Sequence, residues 1–158
     1  MTHIPTAELL LRLLLAAGLG AAIGLEREYR QKPAGLRTNT LIALGSALFT
    51  VISLDMASSG GAADRLAANV VTGIGFLGAG AIMRLERGVH GMTTAATIWV
   101  NAAIGMTVGM GHFRMALVAT ALTLIVLALL PPAEGYFERR AGLLVSDHSD
   151  RHDGSGQS

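Results

Sequence analysis

Five apolar stretches dominate this sequence and constrain its fold more than any other feature. They run from Leu9 to Leu25, from Thr38 to Leu54, from Leu66 to Met83, from Met92 to Val108 and from Phe113 to Pro131. A helix needs about 20 mostly apolar residues to cross a hydrocarbon core of roughly 30 Å, so each stretch lies near the lower limit of a membrane span. The sequence therefore predicts an all-α integral membrane protein, a bundle of about five transmembrane helices.

The composition agrees with this prediction and excludes several classes of protein. Charged residues make up 15% of the chain and hydrophobic residues 51%, whereas a soluble domain carries about 25% charged residues. The net charge of +1 offers no basic field for nucleic acid. The chain has no Cys, which excludes disulfides, thiolate metal sites and thiol catalysis. We find no pattern of nucleophile, base and orienting group, so we expect no enzyme, no catalytic residue and no cofactor.

The acidic residues are placed away from the middle of the membrane. Glu8, Glu26 and Asp55 all lie at the ends of the apolar stretches, and none lies near a centre. A dedicated path for Mg²⁺ or protons usually needs central carboxylates. We therefore expect no metal site, and this placement disfavours a self-sufficient cation transporter.

The distribution of Lys and Arg predicts the orientation of the bundle. Of the 12 such residues, nine fall in the loops after the first and third stretches and in the C-terminal tail, whereas only Arg65 and Arg114 fall on the opposite side. Cytoplasmic loops are enriched in Lys and Arg, so we expect the N-terminus outside and the C-terminus in the cytoplasm. Arg12, near the start of the first stretch, can extend its guanidinium to the headgroups.

Three regions follow from these boundaries. Residues 1–8 form an extracytoplasmic N-terminus, residues 9–131 the transmembrane domain, and residues 132–158 a cytoplasmic tail. The tail is too short to bury a core of its own. Its polar end, rich in Gly and Ser, is typical of a disordered segment.

The first cytoplasmic loop has an alternating order of acidic and basic residues. Glu26 and Arg30 are four residues apart, as are Glu28 and Lys32, and in both pairs the acid comes first, which is the favourable order on a helix. The first helix is therefore predicted to continue past the membrane as far as Pro33. The loop is either an ordinary basic anchor or an ordered cluster of ion pairs below the bundle.

Three further residues of this basic segment are candidate interaction or structural residues. Thr38 has the side chain of a helix N-cap and is predicted to cap the second span. Its neighbour Arg37 is then free to face lipid headgroups or a partner protein. Arg27 adds a second cation to the same loop.

The third stretch is the most unusual because it contains Gly73, Gly75, Gly78 and Gly80 within eight positions. The spacing of the first three matches a dinucleotide fingerprint, but the match lies inside an apolar span and not at a strand-to-helix turn. Two interpretations stay open. The Gly residues allow a tight helix crossing, or they bend or break the helix beside a polar cavity, as Gly-interrupted spans do in transporters.

The second cytoplasmic loop leads into the fourth stretch through Gly91, Thr93 and Thr94. Gly91 suits a turn, and either Thr is predicted to cap the fourth helix. In a functional alternative, the free amides and hydroxyls at this helix N-terminus lie near Arg84 and Arg87. There they hold an anion or an acidic group of a partner.

Small and amide side chains within the spans predict how the helices pack. Ala16, Gly20 and Gly24 recur at four-residue spacing, which lets helix backbones approach closely. Asn69 and Asn101 lie within the third and fourth spans, where an unpaired amide is costly. We expect both amides to form hydrogen bonds across helices, and a polar site is the less favoured alternative.

Four separate segments of the sequence resemble the MgtC/SapB family of membrane proteins. They are Gly24–Glu28, Ala34–Thr38, Gly73–Gly80 and Gly91–Thr97, and their order and spacing match the family from about Leu9 to Gly111. The resemblance implies a bacterial inner-membrane protein with several transmembrane helices. In the founding members this family is linked to growth in low Mg²⁺ and to survival inside macrophages.

The resemblance also implies a role. The namesake of the family looks like a regulator and not a pump, acting on the F-type ATP synthase and so on ATP level and membrane potential. Virulence-linked members carry a soluble C-terminal domain of an ACT-like kind, whereas this chain ends after residues 132–158. On this basis we expect a short form that keeps the membrane module.

Two functions from different classes fit these observations. The first is a regulator that acts through contacts with another inner-membrane protein. Its expected partners are that protein, the lipid bilayer and further copies in a homo-oligomer, with no nucleic acid. The alternative is a small transporter or channel for Mg²⁺ or another ion, favoured by the Gly-rich third span and the two Asn residues. A polar pocket between the third and fourth spans would favour transport.

Overall fold

A computed structural model describes residues 4–58, 63–85 and 88–131, with only the backbone described for 58, 63–67, 84, 85 and 88. Each predicted stretch corresponds to one helix, and a short hairpin lies between the third and fourth helices, so the helical class is confirmed. The elements in chain order are α1 (Thr6–Tyr29), α2 (Leu36–Ser58), α3 (Ala63–Gly80), β1 (Met83–Leu85), β2 (Gly88–His90), α4 (Met92–Gly109) and α5 (Phe113–Pro131).

Three of the described helices are long and apolar enough to cross a membrane by themselves. They are α1, α2 and α5, with mean hydropathies of 1.8, 1.8 and 2.3. The apolar part of α3 is shorter and runs from Ala68 to Gly80. The chain is thus an all-α membrane protein, and the total of five spans stays a prediction.

Small residues on α1 bring its backbone close to α2. Ala16, Gly20 and Gly24 are buried. A Cβ added to Gly20 would lie 2.6 Å from the carbonyl oxygen of Asn39, and one added to Gly24 would lie 2.7 Å from Cα of Leu36. The close approach predicted from the spacing of these residues is confirmed, and α2 is the helix that they approach.

The aliphatic core of the bundle lies where α2, α3 and α4 meet. Ile42, Ile74, Ile98 and Ala102 form a buried cluster there. Each of these side chains comes from the apolar part of its helix, so burial removes apolar surface from contact with water or lipid and adds close packing. This cluster positions the three helices that carry the candidate site.

The contacts divide the chain into two units, residues 1–124 and 125–158, and each is described by itself. The first unit holds α1 to α4, the hairpin and the start of α5. In the second unit the structure describes residues 125–131, which form the end of α5. The tail predicted at 132–158 lies outside the described residues.

Helix α1 ends four residues before Pro33, which is earlier than predicted. Gln31 has a left-handed backbone with φ of 53°. The amides of Gln31 and Lys32 donate to the carbonyl oxygens of Glu28 and Arg27, each at 2.9 Å. This Schellman arrangement satisfies the last carbonyl groups of the helix. The chain therefore turns toward α2 before the proline is reached.

The hairpin in the second loop was not predicted. Strands β1 and β2 pair antiparallel, with Met83 opposite His90 and Leu85 opposite Gly88. Strands of three residues are too short to show the alternation by which a strand is recognised in a sequence. The hairpin leads directly to Gly91, whose left-handed backbone, with φ of 90°, directs the chain into α4.

Candidate functional site

Arg27 lies on the face of α1 that packs against other helices, and it is only 4% exposed. Its Nη2 donates a hydrogen bond to Oγ1 of Thr94, in the first turn of α4, at 3.2 Å. Its Nε is buried and has no hydrogen-bond partner among the described residues. Burying a cation is costly unless the cation is paired and hydrogen-bonded. Arg27 is therefore the most unusual buried group where α1 meets α4.

The two acidic residues at the end of α1 have different roles. Oε1 of Glu26 lies 2.6 Å from Nε of Arg30, so the predicted ion pair is present. The predicted pair of Glu28 with Lys32 is wrong, because α1 ends before Lys32. Oε2 of Glu28 instead accepts a hydrogen bond from the backbone amide of Leu36 at 3.0 Å and caps the start of α2.

The start of α2 exposes two of the predicted site residues. The helix begins at Leu36, two residues before Thr38, so the capping role predicted for Thr38 is wrong. Arg37 and Thr38 lie in the first turn, and both are exposed. The guanidinium of Arg37 is therefore accessible at the end of the helix, and its contact with headgroups or a partner stays a prediction.

Two buried amides connect α2 to α4. Nδ2 of Asn101 donates to the backbone oxygen of Asn39 at 2.7 Å and to its Oδ1 at 3.1 Å. Both residues are fully buried, and Nδ2 of Asn39 donates in turn to the carbonyl oxygens of Ala34 and Gly35. The cross-helix bond predicted for Asn101 is present. Asn39 was not predicted, although an amide within an apolar span was the available signal.

The prediction of a buried amide is wrong for Asn69. This residue lies on an exposed part of α3. Among the described side chains of that helix, from residue 68 to residue 80, only Ile74 and Gly78 are buried. Helix α3 therefore contacts its neighbours through one narrow face and leaves Asn69 beside open space.

An open groove of about 940 Å³ lies between α2 and α3, with the start of α4 at one end. Most of its lining is apolar and includes Leu41 and Phe49 of α2 and Leu77 of α3. Its polar lining residues are Arg37, Thr38, Ser46, Asn69 and Thr94. This mainly apolar groove between the second and third spans is therefore not the polar pocket between the third and fourth spans that would favour transport.

The four Gly residues of α3 do not act together. A Cβ added to Gly78 would contact Ala95 of α4 at 3.7 Å, an ordinary van der Waals distance. A Cβ added to Gly73, Gly75 or Gly80 would meet nothing within 4 Å. Helix α3 continues through all four positions, so the broken helix is wrong, and helix packing explains only Gly78. Gly73 and Gly80 line the groove, whereas Gly75 does not.

Helix α4 begins at Met92, with Gly91 as its N-cap residue and no side chain capping it. The capping roles predicted for Thr93 and Thr94 are therefore wrong. A Cβ added to Gly91 would collide with the carbonyl group of Ala81, so a glycine is needed where the hairpin meets the helix. Thr93 is exposed, and the hydroxyl of Thr94 is the acceptor for the buried guanidinium described above.

A second arginine of α1 links it to the other end of α4. Nη1 of Arg12 donates to the carbonyl oxygen of Gly109 at 2.6 Å, and Nη2 forms an ion pair with Glu8. The side chain is 11% exposed, so the expected extension to headgroups is wrong. The signal was present in the sequence, because Glu8 and Arg12 have the same acid-first spacing as Glu26 and Arg30.

The groove brings together six predicted site residues from three elements. They are Arg37, Thr38, Asn69, Gly73, Gly80 and Thr94. Arg27 lies behind this lining and contacts it through Thr94. The side chains of Arg84 and Arg87 lie outside the described residues, so the anion site expected at the start of α4 stays a prediction.

Comparison with known proteins supports the relationship suggested by the four motif segments. A sequence model of the MgtC family matches residues 13–136. "Protein MgtC" of Salmonella typhimurium strain LT2 is 51% identical over 124 residues, which cover 78% of this chain and 53% of the relative. "Putative magnesium transporter YhiD" of Escherichia coli strain K12 is 48% identical over 129 residues, which cover 77% of this chain and 60% of the relative.

A more distant relative has a similar extent of match. "Uncharacterized protein slr0014" of Synechocystis is 41% identical over 133 residues, which cover 84% of this chain and 56% of the relative. The chain thus spans between 53% and 60% of the length of these curated relatives. No solved structure matches it. Because the family match runs from α1 to beyond the end of α5, the chain belongs to the MgtC family.

Proposed function

We propose that this chain is a multi-pass protein of the bacterial inner membrane, with its N-terminus outside and its C-terminus in the cytoplasm. The excess of Lys and Arg in the loops after α1 and α3 supports this orientation. Three helices that are long and apolar enough to cross a membrane support the membrane location, as does membership of the MgtC family.

Single cysteines test this orientation cleanly, because the chain contains no Cys. Gln31→Cys, between α1 and α2, is exposed and should react in spheroplasts only with a membrane-permeant thiol reagent. Met110→Cys, after α4, is 43% exposed and should also react with an impermeant reagent. The reverse pattern, or equal labelling of both positions by the impermeant reagent, would refute the orientation.

As its function, we propose a regulator linked to Mg²⁺ homeostasis that acts through contacts with another membrane protein and not as an enzyme. The distribution of polar groups in the bundle carries this proposal. Polar groups buried between α1, α2 and α4 hydrogen-bond to one another and so hold the bundle together. The groove is lined mainly by apolar side chains and carries one charged residue, the cation Arg37. A cation there repels Mg²⁺, so the groove is poorly suited to conducting it.

The outer face of α3 is the surface that best fits such a contact. Val71, Gly75 and Ala79 lie one turn apart, are exposed, and do not line the groove. A Cβ added to Gly75 would meet nothing within 4 Å, and the small residues Gly75 and Ala79, four positions apart, let a partner helix approach closely. The family resemblance suggests the F-type ATP synthase as this partner, and a second copy of the chain is the other candidate because small-residue helix faces also suit self-association.

Replacement of Gly75 by Leu tests the regulator. The variant should be present at normal abundance but should lose the effect of the protein on cellular ATP, membrane potential and growth in low Mg²⁺. Gly18→Leu on α1 is the matched control, because a Cβ there also meets nothing within 4 Å. If Gly75→Leu behaves as Gly18→Leu does, or if deletion of the gene changes none of these measurements, the proposal fails.

A small transporter or channel for Mg²⁺ is the second candidate. Oε2 of Glu26 and Oδ1 of Asn101 are buried without a hydrogen-bond partner in the described part of the chain. Carboxylate and amide oxygens are ligands for hard cations such as Mg²⁺, and the Escherichia coli relative is named a putative magnesium transporter. Mg²⁺ flux into proteoliposomes that decreases in Glu26→Gln would favour this candidate. Flux no greater than that of empty vesicles would exclude it.

A further inference from the structure

The groove between α2 and α3 has an uneven distribution of polar groups. Its one charged side chain, Arg37, lies at the start of α2, and the hydroxyls of Thr38 and Thr94 lie at the same end. Away from this end, Ser46 and Asn69 are the only polar side chains of the described lining. The groove thus has a cationic end, and an apolar body lies beyond it.

A second cation lies behind the polar end. Arg27 is 4% exposed and donates to Oγ1 of Thr94 at 3.2 Å, which leaves the Thr94 hydroxyl hydrogen free to be donated into the groove. None of the described lining residues is Asp or Glu. The two nearby carboxylates are already bonded, Glu26 within α1 and Glu28 to the amide of Leu36. Positive charge at this end is therefore not neutralised by the lining.

The dimensions of the groove match one leaflet of a bilayer. Arg37 and Phe49, which both line it, are twelve residues apart on α2, a distance of about 18 Å at 1.5 Å per residue. Half of the hydrocarbon core measures about 15 Å. The volume of about 940 Å³ lies in the upper part of the range for small-molecule sites, about 300–1,000 Å³. A long amphipathic molecule therefore fits along it.

We propose that this groove binds an anionic phospholipid, with its phosphate at Arg37, Thr38 and Thr94 and an acyl chain along the apolar lining. Arg37 pairs with the phosphate through charge-assisted hydrogen bonds, and Arg27 adds positive charge from behind Thr94. A second copy of the chain fits this charge poorly, since copies in one membrane share an orientation and would bring cations to the same level. The site is independent of whether the protein regulates or transports.

Native mass spectrometry of the full chain in detergent tests the headgroup contact. Dioleoyl phosphatidylglycerol should be retained about fivefold better than dioleoyl phosphatidylcholine, which corresponds to the ~1 kcal/mol that one basic side chain contributes beside anionic lipid. Arg37→Gln should remove this preference. Lys32→Gln, in the same loop but outside the groove lining, should keep it.

A second pair of variants tests the acyl-chain contact. Gly73→Leu fills the groove, whereas Gly75→Leu adds the same side chain to the same helix outside the groove. We expect Gly73→Leu to lower the retention of both lipids several-fold and Gly75→Leu to behave as wild type. If circular dichroism shows that Gly73→Leu does not fold, Gly45→Leu fills the groove from α2 instead.

Several results would overturn the assignment. One is equal retention of the two lipids by wild type, and another is equal loss of preference in Arg37→Gln and Lys32→Gln. Displacement of bound lipid by glycerol 3-phosphate would show a site for a free anion and not for a lipid. A lipid-free dimer that Gly73→Leu dissociates would assign the groove to a second copy.

Discussion

The contact between α1 and α2 at Gly20 gives the sharpest test of the packing. In Gly20→Ala, the new Cβ would lie 2.6 Å from the carbonyl oxygen of Asn39 and 2.7 Å from Cβ of Ala43. Contacts this short force the two helices apart by a fraction of an ångström. The carbonyl of Asn39 also accepts the hydrogen bond from Asn101 at 2.7 Å, so the same displacement weakens the link between α2 and α4.

The expected change in the free energy of unfolding is the sum of two unfavourable effects and one favourable effect. Overpacking a close contact costs about 1–3 kcal/mol, and weakening a cross-helix hydrogen bond in a membrane protein costs about 0.6 kcal/mol. The gain in helix propensity from Gly to Ala is about 1 kcal/mol at most. With the propensity gain subtracted, Gly20→Ala should lower the free energy of unfolding by roughly 0.6–2.6 kcal/mol. In Gly18→Ala the new Cβ meets nothing within 4 Å, so only the gain in propensity applies.

Unfolding in mixed micelles with increasing dodecyl sulfate measures both variants against wild type. Helical circular dichroism follows the transition, and the fluorescence of the single Trp, Trp99, provides a second probe. The reasoning predicts that Gly18→Ala is at least as stable as wild type and that Gly20→Ala is clearly less stable. Equal free energies of unfolding for the two variants would refute the close approach of α1 and α2.

Three further variants test the polar contacts, each by the same unfolding measurement. Arg12→Ala removes the hydrogen bond to the end of α4 and should lower the free energy of unfolding by about 1.5–3 kcal/mol, the range for bonds to charged groups. Exposed Arg114→Ala is the control, and an equal loss of stability in both variants would contradict the contact. Glu28→Ala removes the cap of α2 and should cost about 0.5–2 kcal/mol, whereas Glu28→Gln keeps an acceptor oxygen and should cost less. Asn39→Ala and Asn101→Ala should show a coupling of about 0.6–1.7 kcal/mol in a double-mutant cycle. Because Asn39→Ala keeps the backbone oxygen, independent effects would argue against the bond from Nδ2 of Asn101 to Oδ1 of Asn39.

The helices could be predicted because their signals are local in the sequence. Apolar length and the position of charges place each helix within a few residues, and α4 and α5 begin at the predicted Met92 and Phe113. The Glu26–Arg30 pair could be predicted for the same reason, since Glu26 lies in the last turn of α1 and Arg30 is the C-cap residue that follows it. The hairpin could not be predicted, because its three-residue strands carry no pattern of their own.

The partners of the buried polar groups could not be predicted, since they depend on which helix lies opposite. Thr38 and Thr94 were both assigned to the nearest helix end. Glu28 caps the start of α2, and the left-handed Gly91 is the N-cap residue of α4. Thr38 instead lines the groove, and the hydroxyl of Thr94 accepts a hydrogen bond from Arg27. The groove combines residues from three separate elements, so it could not be predicted without knowing how those elements pack together.

Helix α1 is hydrogen-bonded to both ends of α4, so these two helices form a fixed part of the bundle. Arg12 reaches Gly109, and Arg27 reaches Thr94. The spacing is fifteen residues, or about 22 Å, in each helix, so the two bonds together fix the register of the pair. Helix α3 buries only Ile74 and Gly78 among its described side chains. Because the fixed helices hold the fold, we expect substitutions on the exposed faces of α3 to alter the proposed binding of lipid or of a protein partner without unfolding the bundle.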